Sequence, residues 1–153
     1  MCIRDSSYSV HLDISIGGMS IERFSGDGIL VATSAGSTAY NYSLGGSIVD
    51  PRLKLLQVTP IAPMNTTAYR SFTSSILLPS DLSLGVIPEH NDDMIFIVND
   101  GTETEYSNVK KIDVMISETY VPVSYTHLME SPSFKTKSTA KPSIVISPLS
   151  SGA

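Results

Sequence analysis

Two short stretches hold side chains able to do chemistry together: Gly26-Asp27-Gly28, and Gly36-Ser37-Thr38-Ala39-Tyr40-Asn41-Tyr42-Ser43-Leu44-Gly45-Gly46. Asp27 is an acid on a glycine-flanked turn and can accept a hydrogen bond from an exocyclic amine or amide. Ser37 and Thr38 open a short helical segment, which offers hydroxyls and unpaired backbone N–H groups at its positive end. Tyr40 adds an aromatic face on which a base can stack. A strand that delivers an acid beside such a helix start makes a corner suited to a polar heterocycle or a ribose. Taken alone, the same residues also suit structural duties: Asp27 a turn, Ser37 a helix cap, Tyr40 a core.

Other chemistry is poorly provided for. No His, Cys, Asp and Glu group has the spacing of metal ligands, and no Ser/His/Asp arrangement for nucleophilic catalysis can be assembled. His90 with Asn91-Asp92-Asp93 reads as a solvated turn. Asn41-Tyr42-Ser43 and Asn65-Thr66-Thr67 match the glycosylation pattern, but no secretion signal gives them meaning.

The elements that must position the corner are strands. Val10 to Ile16 alternates, with Val10, Leu12, Ile14 and Ile16 on one face, and predicts a half-buried strand. Gly17-Gly18 supplies a two-residue turn, and Met19 to Phe24 returns as its partner. Ile29 to Thr33 is short, apolar and β-branched, as a buried strand is. The segment from Ser37 predicts the single helix, stopped by Gly45. Further strands are expected at Gln57 to Ala62, with Pro60 marking an edge or an end, and at Ser75 to Leu78, Leu82 to Val86, Met94 to Asn99, Thr102 to Tyr106 and Lys111 to Ser117. Asp100-Gly101 fits a tight hairpin turn. Strands joined by short turns, with almost no helix, predict a mainly β, sandwich-like domain.

The termini differ in character. Met1-Cys2-Ile3-Arg4-Asp5-Ser6 back-translates to a DNA element whose reverse complement encodes Val-Ser-Tyr-Thr-His, and that peptide stands at Val123 to His127. The pair resembles a transposase sequencing adapter read in both orientations. The expected division is therefore adapter at 1–6 and 122–128, the domain proper at 7–121, and a Ser-, Pro-, Lys- and Thr-rich disordered or foreign tail at 129–153. On this division Cys2 and His127 take no functional role.

The 153 residues, 41% of them hydrophobic, suffice for one domain with a core. The balance of 10 Lys+Arg against 15 Asp+Glu gives a net charge of -5, which speaks against a nucleic-acid partner. Apolar runs such as Met94-Ile95-Phe96-Ile97-Val98 fall far short of the roughly 20 residues that cross a bilayer, so no membrane is expected.

The stretch GDGILVATSAGSTAYNYSLGGSIVDP resembles the NAD kinase family's GDG, strand, TPTGSTAY, S-x-GG and following Pro. The likeness extends to Leu56–Pro63 and the Asp100-Gly101 turn. It implies the C-terminal β-domain of a two-domain enzyme that moves the γ-phosphoryl group of ATP to the adenosine 2′-hydroxyl of NAD and makes NADP. It also implies Mg-ATP as donor, a homo-oligomer (dimer or tetramer) formed through this domain, and a cytoplasmic setting. Position by position, Asp27, Thr38, Ala39, Tyr40, Ser43 and Ala62 match residues that contact the dinucleotide. None is catalytic: the resemblance places the proton-accepting carboxylate in a GGDG motif upstream of this chain, and Gly26-Asp27-Gly28 is a different motif. The sequence departs from the family pattern at Ser34-Ala35 (Pro-Thr), Ser25 (a basic residue) and Thr102 (Gln), which touches the rim of the site. The competing assignments are a lipid kinase of the diacylglycerol type, with the same two-domain plan, and a non-catalytic β-sandwich binding module.

Overall fold

A computed structural model describes residues 2–4, 9–90, 94–99, 101–121 and 141–146. The strands in chain order are β1 (Cys2–Arg4), β2 (Val10–Ile16), β3 (Met19–Gly26), β4 (Gly28–Thr33), β5 (Leu55–Ile61), β6 (Ile76–Pro79), β7 (Leu84–Pro88), β8 (Ile95–Asn99), β9 (Thr102–Tyr106), β10 (Ile112–Val121) and β11 (Lys141–Ile146). A 3-10 turn at Ser34–Gly36 and the helix α1 (Tyr40–Ser43) interrupt them. One sheet has the order β6-β5-β4-β1-β8-β9, the other β11-β10-β7-β2-β3. All pairings are antiparallel. The expected mainly β sandwich with one short helix is therefore what forms.

Between the sheets lies one apolar core. Ile29, Val31, Leu56, Val58, Ile95 and Ile97 come from the first sheet, and Val10, Leu12, Ile14, Phe24, Leu84 and Val86 from the second. Each such side chain stabilises the fold by roughly 1.5–3 kcal/mol through loss of contact with water. The alternation of β2 is reproduced, with Val10, Leu12 and Ile14 buried. Its turn forms as expected: Gly17 and Gly18 both take positive φ, 56° and 83°, the twist that lets a two-residue hairpin close. Pro60 is the second-last residue of β5, and β6 pairs only with Leu55 to Val58, so its missing N–H removes no bond from that ladder.

Several boundaries differ from expectation. The seventh strand begins at Leu84 rather than Leu82 and runs to Pro88, and the tenth continues past Ser117 to Val121. Two strands fall in segments the sequence sets apart. Cys2–Arg4 occupies the slot between β4 and β8, and Lys141–Ile146, in the expected disordered tail, pairs with β10. Backbone N–H and C=O groups along an open strand pair with another strand whatever its composition. Asp100 and the Asn91 to Asp93 turn lie outside the described residues. The Asn99↔Thr102 register and the positive φ of Gly101, 84°, fit the expected tight hairpin.

Candidate functional site

Four of the six candidate residues, Thr38, Ala39, Tyr40 and Ser43, lie on or next to α1 over the outward face of the first sheet, and Asp27 and Ala62 stand where β4 begins and β5 ends. β4 carries the chain from Asp27 to Ser34, about 20 Å at strand rise. The turn at Ser34–Gly36 then reverses it, and α1 comes back over β5. Asn41 bonds there to Gln57 and Thr59, whose register partners in β4 are Ala32 and Leu30. Asp27 stands at the start of β4, where its N–H donates to the carbonyl of Ile61 at 2.9 Å. Thr59 and Ile61 are alternate residues of one strand, so the two anchors are only about 7 Å apart along it. Asp27 and the turn that leads to the helix thus stand at opposite ends of β4.

All six residues, Asp27, Thr38, Ala39, Tyr40, Ser43 and Ala62, are exposed, and Tyr40 shows 54% of its surface. Tyr40 does not pack in the core. Ala62 sits beside Asp27 with a left-handed backbone, φ 44°, which turns the chain out of β5. Helix α1 has four residues, so the macrodipole invoked from the sequence is negligible here.

The expected cap is also replaced. Ser37 is buried at 1%, and its hydroxyl accepts from Val49 N at 3.0 Å and donates to Val49 O at 3.3 Å. It ties the segment to the following loop, while α1 starts at Ala39 without a side-chain cap. The helix stop is as expected. Gly45, at φ 80°, lets Gly45 N reach Tyr42 O and Gly46 N reach Asn41 O, the paired bonds of a Schellman end.

Beneath the exposed residues lies a polar network that sequence reasoning missed. Asn41 Nδ2 donates to Ser37 O at 3.1 Å and to Gln57 Oε1 at 2.9 Å, and Asn41 Oδ1 accepts from Thr59 Oγ1 at 2.7 Å. Gln57 is held in turn by Ser47, accepting from its N–H at 2.7 Å and donating to its carbonyl at 3.1 Å. Asn41, Gln57 and Thr59 are each exposed by 1% or less. The one available signal was a Gln and a Thr inside an otherwise apolar strand, Leu55-Leu56-Gln57-Val58-Thr59. Burial also removes Asn41 as a glycosylation acceptor.

A second cluster holds the loop that follows Ala62. Met64 N and the Ser71 hydroxyl both donate to Ser25 O, at 2.8 and 2.9 Å, and Ser25 N donates to Ser71 Oγ at 2.8 Å. Ser25, standing where the family has a basic residue, is buried at 1%. Tyr69 stacks on His11 with ring centroids 4.6 Å apart, donates its hydroxyl to Glu89 Oε2 at 2.7 Å, and lies 5.4 Å from the Arg23 guanidinium. Arg23 also pairs with Glu89 and, at 3.5 Å, with Asp13. The Tyr69 hydrogen bond, aided by Arg23, His11 and His90 against the cost of burial, holds the Glu89 carboxyl below its ordinary pKa.

The chain thus forms a two-sheet β-domain with an exposed, internally braced corner. Its sequence matches the model of the ATP-NAD kinase C-terminal domain over residues 2–126, and the chain belongs to that family. That span includes part of each segment assigned above to an adapter. The chain is 41% identical over 120 residues to an NAD kinase of Finegoldia magna, covering 76% of this chain and 44% of that protein. It is 41% identical over 115 residues to one of Streptococcus pneumoniae, covering 75% and 42%. The chain thus spans less than half the length of these relatives. Among solved structures it resembles an NAD kinase from Archaeoglobus fulgidus in complex with ATP, with TM-score 0.61 and 25% identity over 76% of this chain and 44% of that one. It also resembles a yeast NADH kinase complexed with NADH, with TM-score 0.59 and 29% identity over 72% and 31%.

Proposed function

We propose that this chain supplies the dinucleotide-binding part of an enzyme that transfers the γ-phosphoryl group of ATP to the 2′-hydroxyl of the adenosine ribose of NAD, yielding NADP. The observation that carries the reading is the braced corner, with Thr38, Ala39, Tyr40 and Ser43 exposed around α1, together with Asp27 and Ala62 exposed where β4 begins and β5 ends, in a chain of this family. Asp27 accepts from an amine or amide of the ligand, Tyr40 offers its ring, and the Thr38 and Ser43 hydroxyls meet ribose oxygens. Phosphoryl transfer rests on positioning and charge stabilisation, with a carboxylate to take the hydroxyl proton. We assign that carboxylate to the half of the enzyme absent from this chain. Among the described residues no group of three or more His, Cys, Asp or Glu could hold a metal ion. Mg2+ enters this reading only as the companion of ATP.

The parent enzyme is placed in the cytoplasm and read as a homo-oligomer. The β3 edge of the second sheet, with Met19 and Ile21 exposed by 71% and 48%, supports self-association through this domain. Sedimentation tests that part.

Saturation-transfer NMR on this chain with NAD, NADP and a lipid head group tests the binding. Signal confined to the two dinucleotides is expected, weakened about tenfold in affinity by Asp27→Ala or Tyr40→Ala, as loss of one charged hydrogen bond or one stacked base predicts. Head-group signal would favour the lipid kinase assignment. Dinucleotide binding indifferent to both substitutions would sink the site.

A further inference from the structure

Helix α1 is too short to hold itself. Four residues form barely one turn, with no side-chain cap, no acid in the first turn and no base in the last. Asn41 is its buried residue; its neighbours Tyr40 and Tyr42 are exposed by 54% and 59%. Successive helical side chains are turned by about 100°. Whatever fixes Asn41 therefore fixes the direction of Tyr40 and Ser43.

The bonds around Asn41 admit one orientation. Ser37 O can only accept, so the amide nitrogen must face it. Gln57 is clamped by the N–H and C=O of Ser47, which leaves its oxygen, another pure acceptor, toward Asn41. Both Asn41 N–H donors are thus used, and its oxygen takes the Thr59 hydroxyl. Space is equally restricted, since a Cβ on Gly46 would lie 2.3 Å from Asn41 Nδ2. Asp has the right shape and no donor when ionised, and Leu has neither donor nor acceptor.

We propose that Asn41 is the positioning residue of the corner: its buried amide, through Ser37, Gln57 and Thr59, sets the rotation of α1 and thereby the ligand-facing direction of Tyr40 and Ser43. The ligand side of this inference rests on the dinucleotide reading above; the setting of α1 does not.

Asn41→Asp in the full chain is the test, read by amide NMR with NAD and by hydrogen exchange without it. Near neutral pH the introduced carboxylate puts oxygen against Ser37 O and Gln57 Oε1. Affinity for NAD in the folded protein then falls about tenfold or more, as for loss of charge-compatible buried bonds. Exchange at Leu44 and Gly46 accelerates while the amides of β4 and β5 stay protected. Lowering the pH protonates the carboxyl, restores one donor, and recovers part of the affinity, a profile that the parent chain lacks. Asn41→Ser, which removes the donors without adding charge, is read in the same way and decides the matter should Asn41→Asp not fold. Unchanged affinity and unchanged exchange at Gly46 overturn the inference. Absence of NAD-induced shifts in the parent chain fails the dinucleotide reading, and the exchange at Leu44 and Gly46 then decides by itself whether Asn41 sets α1.

Discussion

The α1 corner, over the first sheet, and the Tyr69 side of the loop after Ala62, against His11 and Arg23 of the second sheet, are held by opposite means. At α1 the fastening is neutral and dry, with the Asn41, Gln57 and Thr59 side chains all within 1% exposure. At Tyr69 it is charged and partly exposed, with the Arg23 side chain 52% and the Glu89 side chain 26% exposed, while the Ser25–Ser71 end of the same loop is neutral and buried. A buried neutral network is costly to break, because each orphaned donor or acceptor loses its partner where water cannot replace it. A half-exposed ion pair is screened, and its loss is cushioned by solvent. The first arrangement gives fixed geometry, while the second gives a fastening that responds to salt and acid.

Breaking the dry side should show the largest effect. Gly46→Ala drives a methyl group into Asn41 and should destabilise the fold by roughly 1–3 kcal/mol, the usual cost of overpacking. Denaturant unfolding measures it, and a loss of a few tenths would mean that the network yields easily. On the charged side, Tyr69→Phe removes the hydroxyl bond to Glu89 but keeps the ring on His11 and under Arg23. A much smaller loss is expected. Raising salt to about 1 M, where the screening length drops to about 3 Å, should speed amide exchange at Thr66 and Glu89, whose N–H groups bond Tyr69 O and His11 O, but leave Gly46 unchanged. Equal salt response at both places would erase the distinction.

Acid should separate them in the same sense. The folded Glu89 carboxyl titrates below its ordinary value of 4.5, so the folded state holds fewer protons than the unfolded one just below that pH. Its contribution is complete above the unfolded pKa and is lost as the pH falls through the folded one. Hydrogen exchange across that range should loosen Thr66 and Glu89 before Leu44 and Gly46, and simultaneous loosening would refute the assignment. The smallest effect is expected at Asp50, whose pKa the adjacent Arg52 lowers to about 2. Its ion pair is on the surface, and Asp50→Asn should leave the melting temperature within error while abolishing that low titration.

The sequence alone determined the elements whose signals are local. Alternation wrote β2, a glycine pair wrote its turn, and Gly45 wrote the end of α1, because each depends on the dihedral preferences of a few neighbouring residues. Within GSTAY, Thr38, Ala39 and Tyr40 are exposed and Ser37 is buried. Tertiary structure alone decided how that corner is built. Ser37 reads locally as a cap, yet bonds Val49, and Asn41 reads as a glycosylation acceptor, yet is buried against Gln57 and Thr59. The strands at Cys2–Arg4, whose Ile3 joins the core, and at Lys141–Ile146 likewise pair with β4, β8 and β10, partners distant in sequence. The reason is common to all of these: a polar side chain or a bare strand is paired by whatever the rest of the chain brings to it, and that partner is distant in sequence.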